Sequence, residues 1–387
     1  MTKTVVFDPT QEDKLSRVRG VGRYLQILKE NFSNEFVFTN KLTADPCQST
    51  GVFINPFFNF LQAPLLMKKI YQRQIAVIHD LIPLKYPSHF PIGVRSKLNV
   101  FLNKLALKNY DLIVTDSQTS KKDIIDILDI NEGKIKVIYP TLPFIFNSEF
   151  KIYNSELNSK SKILNSKQNS EFKIPNSKFV LYVGDATWNK NLVNLARAVK
   201  KINVTCVFVG KVFYQNSEFR VQSSESNLKS KILNSKPNSE FKIPNSKLLS
   251  HPWQKELYEF YREIANDKRF ILLSYVPDDK LIALYQNAAC NILISRDEGF
   301  GFSFLEASSQ NCPTILSDIP VFRELAGESP LLNHLVSPDK IDDIAHKIGE
   351  VYFDNNLRNK LGLEAKKRID FFSADKFRQL FLEAINK

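Results

Sequence analysis

The chemistry of this chain concentrates around two glutamates eight residues apart. They close the stretch Ser295-Arg296-Asp297-Glu298-Gly299-Phe300-Gly301-Phe302-Ser303-Phe304-Leu305-Glu306. The apolar run before it, 290–295, reads as a strand, and 302–310 reads as a helix. Glycines at such a turn let the backbone approach a ligand closely, and the unpaired amides of a helix start suit an anion or a hydroxyl-rich group. Glu298 then lies at the carboxyl end of a strand, where a carboxylate can grip hydroxyls. Glu306 follows about two helical turns later, so both can face one cleft. A tight strand-to-helix turn with two solvated glutamates has the same spacing, and the residues alone leave the two readings even.

Three other stretches carry candidate ligand groups. In Val183-Gly184-Asp185-Ala186-Thr187-Trp188-Asn189-Lys190-Asn191-Leu192 a strand ends at glycine and a helix begins at Lys190. A lysine there can meet a diphosphate as a point charge beside helix amides. In Gly20-Val21-Gly22-Arg23-Tyr24 two glycines open the first helix, as any strand-to-helix loop can use them, with Arg17 and Arg19 just upstream. Val77-Ile78-His79-Asp80-Leu81-Ile82-Pro83-Leu84 places His79 at a strand end, where a lone histidine is more often structural than reactive. Solvated side chains are the plain alternative for Lys190 and Arg23, and Ser117 and Ser120 read as helix caps.

The elements that must position these residues alternate. Strands are expected at 4–7, 51–55, 74–79, 111–116 and 136–139, with helices at 22–31, 92–109 and 120–128 between them. A second series has strands at 179–184, 204–210, 270–275, 290–295 and 314–317, with helices at 191–202, 254–265, 278–287, 302–310 and 341–353. Such alternation is the signature of parallel-sheet α/β architecture. Two doubly wound units in series place ligands at the carboxyl ends of their strands, in the cleft between the units. The helix at 92–109 sets Arg95, Lys97, Lys104 and Lys108 around Leu98, Val100, Phe101 and Leu105. That pattern fits a domain-surface helix, the preferred reading, or a peripheral membrane contact.

The chain has 387 residues, 43% of them hydrophobic and 24% charged, which excludes wholesale disorder. No apolar run is long enough to cross a bilayer, and residues 1–30 do not read as a secretory leader. The four cysteines lack metal-ligand spacing and read as reduced thiols of a cytoplasmic protein. His89, His251, His334 and His346 lack such spacing too, and no D-x-D triplet occurs. The net charge of +12 would suit an anionic partner, but its distribution matters. Residues 147–178 and 216–247 are two copies of one 32-residue segment, identical at 25 positions, and together they carry +6. Their Asn, Ser and Lys composition has no helical or strand period, so they read as two surface insertions. The remainder does not demand a nucleic-acid partner. A lysine-rich surface against anionic lipid is the alternative role for the copies.

Glu298 and Glu306, in the context Glu-Gly-Phe-Gly-Phe-Ser-Phe-Leu-Glu-Ala, resemble the E-x7-E motif of retaining GT-B glycosyltransferases of family 4. Ser303 stands where that family commonly has proline. Further resemblances are Cys312-Pro313-Thr314, Ser317-Asp318-Ile319-Pro320, Glu324-Leu325-Ala326-Gly327, Tyr275-Val276-Pro277 and 281–288, together with the Gly20–Tyr24 and His79–Leu84 stretches. The fold so implied is α/β GT-B: two Rossmann-like doubly wound domains facing across a cleft, with two low-complexity repeat insertions. On this reading 1–146 is an N-terminal acceptor domain and 147–178 an insert and linker. Residues 179–370 form a C-terminal nucleotide-sugar domain interrupted by 216–247, and 371–387 a helix packing back across the junction.

The resemblance also implies roles. Glu298 holds sugar hydroxyls, Glu306 ribose hydroxyls, Lys190 the diphosphate and His79 the transferred sugar. Gly20, Gly22, Gly184, Gly299, Phe300 and Gly301 line the donor, and Arg23, Tyr24 and Asp80 orient it or the acceptor. An arginine usually accompanies the lysine in this family, and Asp185 and Asn189 stand at the candidate positions instead. The implied reaction is transfer of a sugar with retention, without a metal or other cofactor. GDP-mannose is the first donor expected and a UDP-sugar the next. The acceptor is a glycan or lipid-linked saccharide, and the protein is cytoplasmic, with a possible peripheral place at the cytoplasmic face of the membrane. A degenerate non-catalytic GT-B subunit and a basic protein binding nucleic acid or anionic lipid are the rival readings.

Overall fold

The computed structural model describes residues 4–11, 20–42, 51–147, 175, 178–213 and 251–386. The repeats at 147–178 and 216–247 therefore lie outside the described residues, apart from Asn147, Pro175 and Lys178, as do Arg17, Arg19 and Cys47.

Two sheets, parallel throughout, form the frame. The first holds β1 (Thr4–Phe7), β2 (Phe36–Thr39), β3 (Val52–Asn55), β4 (Arg73–Val77), β5 (Leu112–Thr115) and β6 (Ile135–Val137), in the order β2-β1-β3-β4-β5-β6. The second holds β7 (Phe179–Val183), β8 (Thr205–Val209), β9 (Phe270–Leu273), β10 (Cys290–Leu293) and β11 (Thr314–Leu316), in the order β11-β10-β7-β8-β9. Helices cover both faces, so central strands are buried on both sides and read as unbroken apolar runs such as Phe179-Val180-Leu181-Tyr182.

The helices of the first unit are α1 (Gly20–Phe32), α2 (Ile82–Lys85), α3 (Val94–Leu107) and α4 (Gln118–Leu128). Those that follow β7 are α5 (Leu192–Ile202), α6 (Lys255–Ile264), α7 (Asp278–Asn287), α8 (Phe302–Ser309), α9 (Pro320–Ala326), α10 (Ile341–Phe353), α11 (Asn355–Ile369) and α12 (Ala374–Asn386). The last of these returns to the first sheet. Phe377, Phe381, Ala384 and Ile385 of α12 are buried with Tyr24, Phe32 and Phe36, and Lys136 donates to the Leu380 carbonyl at 2.9 Å.

Strand order reverses between β1 and β3 in the first sheet and between β7 and β10 in the second. In open parallel sheets the crevice outside the carboxyl ends of strands at such a reversal is where ligands bind. Gly184 follows β7 and Glu298 lies beyond β10, so both fall at the second reversal.

One helix turns only part of its apolar surface inward. An amphipathic helix on a domain surface normally turns its apolar stripe inward. α3 buries Ala106 and Leu107 together with Asn103, whose amide donates to the Phe60 and Gln62 carbonyls, but leaves Val94, Leu98, Phe101 and Leu105 exposed. The preferred reading, a domain-surface helix, describes the packed face, where Leu107 joins the core and Val100 packs against it, while a second apolar stripe stays outside.

Candidate functional site

A cavity of about 580 Å³ lies between the sheets, at both reversal points. Arg23, Lys190 and Lys211 line it with Asp80, Asp116, Asp185, Asp278, Glu298 and Glu306. His79, Gly20, Gly184, Gly299, Phe300 and Gly301 also face it. Most of the residues singled out in the sequence are thus gathered in one place, from both halves of the chain.

The turn between β10 and α8 is built around two close approaches. Gly301 has φ +134°, a conformation that disfavours any side chain, and a Cβ there would meet Leu325 and Phe322 at 3.1 Å. A Cβ on Gly299 would lie 2.5 Å from the His79 carbonyl oxygen, so only glycine lets this turn rest on the opposite unit. Ser117 donates to the Gly299 carbonyl at 2.8 Å and also accepts from the Ser120 amide as the cap of α4. Ser120 donates to the His79 carbonyl at 2.9 Å. The two serines therefore cap a helix and fasten the cleft.

Glu298 accepts from the Lys190 ammonium at both carboxylate oxygens, 2.6 and 2.7 Å, and from the Ser295 hydroxyl at 2.7 Å. Burial disfavours the Lys190 charge, but Glu298, Asp185 and Asp80 outweigh it and raise the ammonium pKa. Lys190 is thus a fixed cation. Glu306 is nine-tenths or more buried and receives Arg23 at 2.9 Å and the Tyr285 hydroxyl at 3.1 Å. Burial raises its pKa while Arg23 pulls the other way. Arg23 also forks onto Asp278, at 2.8 and 2.9 Å, which ties α1 to α7 across the cleft. Neither Asp278 nor Tyr285 stood out in the sequence: Asp278 gains its role where the two units meet, and Tyr285 reaches Glu306 from a neighbouring helix of the same unit.

His79 is held at both nitrogens: Nδ1 pairs with the Asp116 carboxylate at 2.6 Å and Nε2 with the Pro56 carbonyl at 2.9 Å. A carbonyl oxygen only accepts, as does a carboxylate, so this geometry calls for the doubly protonated ring. Burial opposes that charge, yet Asp116 and the Pro56 carbonyl outweigh it and raise the pKa. Asp80 accepts from the Ile82 amide at 3.0 Å, and burial raises its pKa.

Two expected residues do not reach the cavity. Tyr24 is fully buried beneath it, edge-on to His79 at 4.7 Å and to Phe377 at 6.4 Å, so its assignment to the donor or acceptor is corrected to packing. It lies one residue beyond Arg23, about 100° further around the helix, and faces the core. Gly22 is likewise buried and absent from the lining, and Gly20 lines the cavity as the first residue of α1, with open space where a Cβ would lie. Lys211, just beyond β8, is a cleft cation the sequence reading passed over. Its place at the carboxyl end of a strand is the signal that could have found it.

On the far side of the cleft Lys85 bridges Asp123 at 2.9 Å and Asp297 at 2.8 Å. Beyond it the His89 ring stacks on Trp188 at 3.7 Å, and Phe90 meets Trp253 edge-on at 5.1 Å. Glu324 of α9 accepts from the Gln118 and Thr119 amides at 2.6 and 3.2 Å, so a carboxylate from one unit caps a helix of the other.

The family model for "Glycosyl transferases group 1" matches residues 165–368, more than half of the chain. The chain belongs to that family. Among curated glycosyltransferases, O-antigen chain mannosyltransferase RfbU of Salmonella typhimurium is 24% identical over 276 residues, 70% of this chain and 58% of RfbU. Serotype-specific mannosyltransferase WbdA of Escherichia coli is 39% identical over 62 residues, only 16% of this chain and 8% of WbdA. The GDP-mannose:cellobiosyl-diphosphopolyprenol alpha-mannosyltransferase of Xanthomonas oryzae is 42% identical over 79 residues, 20% of each chain. Anabaena Alr3699/HepE, solved with UDP-glucose, shares the fold with a TM-score of 0.62 at 14% identity, over 99% of both chains. The two facing parallel-sheet units are the GT-B fold of this group 1 glycosyltransferase family.

Proposed function

We propose that this chain is a retaining glycosyltransferase that moves a sugar, mannose in the first instance, from a nucleotide-sugar to a hydroxyl of a glycan or lipid-linked saccharide. The observation that carries the reading is the gathering of Glu298, Glu306, Lys190 and the Gly299–Gly301 turn around one cavity at the strand-reversal points. The mannosyltransferase names of RfbU, WbdA and the Xanthomonas relative support mannose, and the last supports GDP-mannose ahead of a UDP-sugar.

The bond between the sugar C1 and the diphosphate oxygen breaks, and its electron pair leaves with the diphosphate. Lys190 and the amides near Gly299–Gly301 stabilise that charge. The acceptor hydroxyl attacks C1 from the same face and passes its proton to the leaving phosphate oxygen, so no separate base is required. Glu298 orients sugar hydroxyls through the face that Lys190 and Ser295 leave open. Glu306 takes the ribose hydroxyls once Arg23 swings away, and Asp80 orients the acceptor. The positive charge a diphosphate needs comes from Lys190 and Lys211, which offsets the aspartate and asparagine at 185 and 189. No metal is required in this scheme.

A thermal-shift panel with GDP, UDP, ADP and CMP, run beside Glu306→Ala, tests the nucleotide half. Ligand at about 100 times its Kd stabilises by roughly 2.7 kcal/mol, so one nucleotide should stand out and lose its effect in the variant. Turnover of GDP-mannose with an oligosaccharide acceptor, read by the anomeric proton signal of the product, tests transfer and retention. Nucleotide binding without turnover favours the non-catalytic reading, which Asp185 and Asn189 at the candidate arginine positions support.

A further inference from the structure

We propose that the outward face of α3, with the adjoining 67–70 loop, is a docking surface for an anionic lipid bilayer. Val94, Leu98 and Phe101 are 85%, 55% and 59% exposed, and Leu105 is exposed as well. Their spacing places all four within an arc of about 60° on the helix. Asn109 of the segment after α3 donates to the Met67 carbonyl at 3.1 Å, which sets exposed Met67 and Ile70 beside the end of the stripe. Half of the large apolar side chains exposed among the described residues lie on this one surface. Scattered exposed hydrophobes need no explanation, but a contiguous stripe marks a contact.

The charges around the stripe choose the occupant. Arg95, Lys97, Lys104 and Lys108 flank it, with Lys68 on the loop, and no aspartate or glutamate occurs between Asp80 and Asp111. A second copy docked through the same face would oppose lysine to lysine under two-fold symmetry. An anionic bilayer satisfies both parts at once: leucine, valine and phenylalanine enter the acyl boundary while lysine stems reach the headgroup phosphates. The start of α3 adjoins the cleft, since the Trp253 indole donates to the Pro91 carbonyl at 3.1 Å. A saccharide carried on a lipid would meet the cavity from this side. Docking itself does not rest on the transferase reading.

The full chain is sedimented with phosphatidylcholine vesicles carrying about one third phosphatidylglycerol, and with phosphatidylcholine alone. Binding is expected only to the anionic vesicles and should weaken steeply with added salt. Leu98→Ser with Phe101→Ser, and separately Lys97→Glu with Lys104→Glu, should each reduce partitioning by about tenfold or more. Both variants alter exposed positions, so melting temperature and turnover on a soluble oligosaccharide should stay unchanged, and partitioning is read without any donor. The proposal is overturned by absent or charge-independent binding, by binding that survives both variants, or by binding lost only when 216–247 is deleted. A dimer in ultracentrifugation that the Leu98 and Phe101 changes dissociate overturns it as well.

Discussion

Glu298 and Glu306 stand at the two ends of one turn, and each is matched with a cation, but the cations come from opposite sides of the cleft. Lys190 belongs to the same unit as Glu298, and Ser295 supports the pair from the strand end. Arg23 reaches Glu306 from α1 of the other unit and holds Asp278 at the same time. The first pair is complete once the C-terminal unit folds. The second exists only while the units touch, and it occupies the carboxylate that the proposed mechanism gives to the ribose. One end of the site is therefore pre-organised, and the other is coupled to the approach of the domains.

Removing Lys190 should break the pre-organised end and have the largest consequence. Lys190→Ala takes away the cation facing the leaving group and strands Glu298, and turnover should fall about 10²–10³-fold in a steady-state assay. A variant with near-normal turnover would remove Lys190 from the mechanism. Gly299→Ala attacks the junction between the two ends. Its methyl would press on the His79 backbone, which has no flexible side chain to yield, so a loss of about 2 kcal/mol in denaturant unfolding is expected.

Arg23→Gln sharpens the comparison because its sign is opposite to that of Lys190→Ala. With the competing cation gone, the preferred nucleoside diphosphate should bind about 3–10-fold more tightly by calorimetry, a gain on the order of 1 kcal/mol. Weaker binding would instead make Arg23 a direct diphosphate contact. The smallest effect is a pH dependence. The pKa of His79 is raised in the folded state above its ordinary 6.5, so its pairing stabilises fully below that value and the contribution fades as pH rises through the folded pKa. The stability gap between wild type and His79→Gln should accordingly narrow from mildly acidic to alkaline pH. A constant gap would mean that folding leaves the ring's pKa where it was, and a gap that widens with pH would mean that the buried ring is neutral.

These outcomes bear on what can be read from a chain alone. Glu298, Glu306 and the glycines between them are neighbours in sequence, so their spacing announces a strand, a turn and a helix. The alternating apolar runs likewise announce both sheets, down to strand Thr4–Phe7 and helix Ile341–Phe353. The edge strand Phe36–Thr39 escapes because it is four residues long, half-exposed and follows α1 almost directly. Helix α11 escapes because its polar residues leave only a thin apolar face, with Leu361, Gly362 and Ala365 buried. Asp116 beside His79, Asp278 beside Arg23 and Ser117 beside Gly299 come from the ends of different strands or from opposite units. No local spacing encodes such meetings. α3 is a different case: Ala106 and Leu107 join the core while Val94, Leu98, Phe101 and Leu105 stay outside, and periodicity alone does not say which apolar residues face which way.

The aromatic cluster on the far side of the cleft has an optical consequence. The chain contains two tryptophans, and both sit where the units meet, Trp188 under the His89 ring and Trp253 against Phe90. Separating the units would strip both indoles of these neighbours and wet them together. Intrinsic emission would then move to the red without any label, so the protein carries its own gauge of how far the cleft stands open.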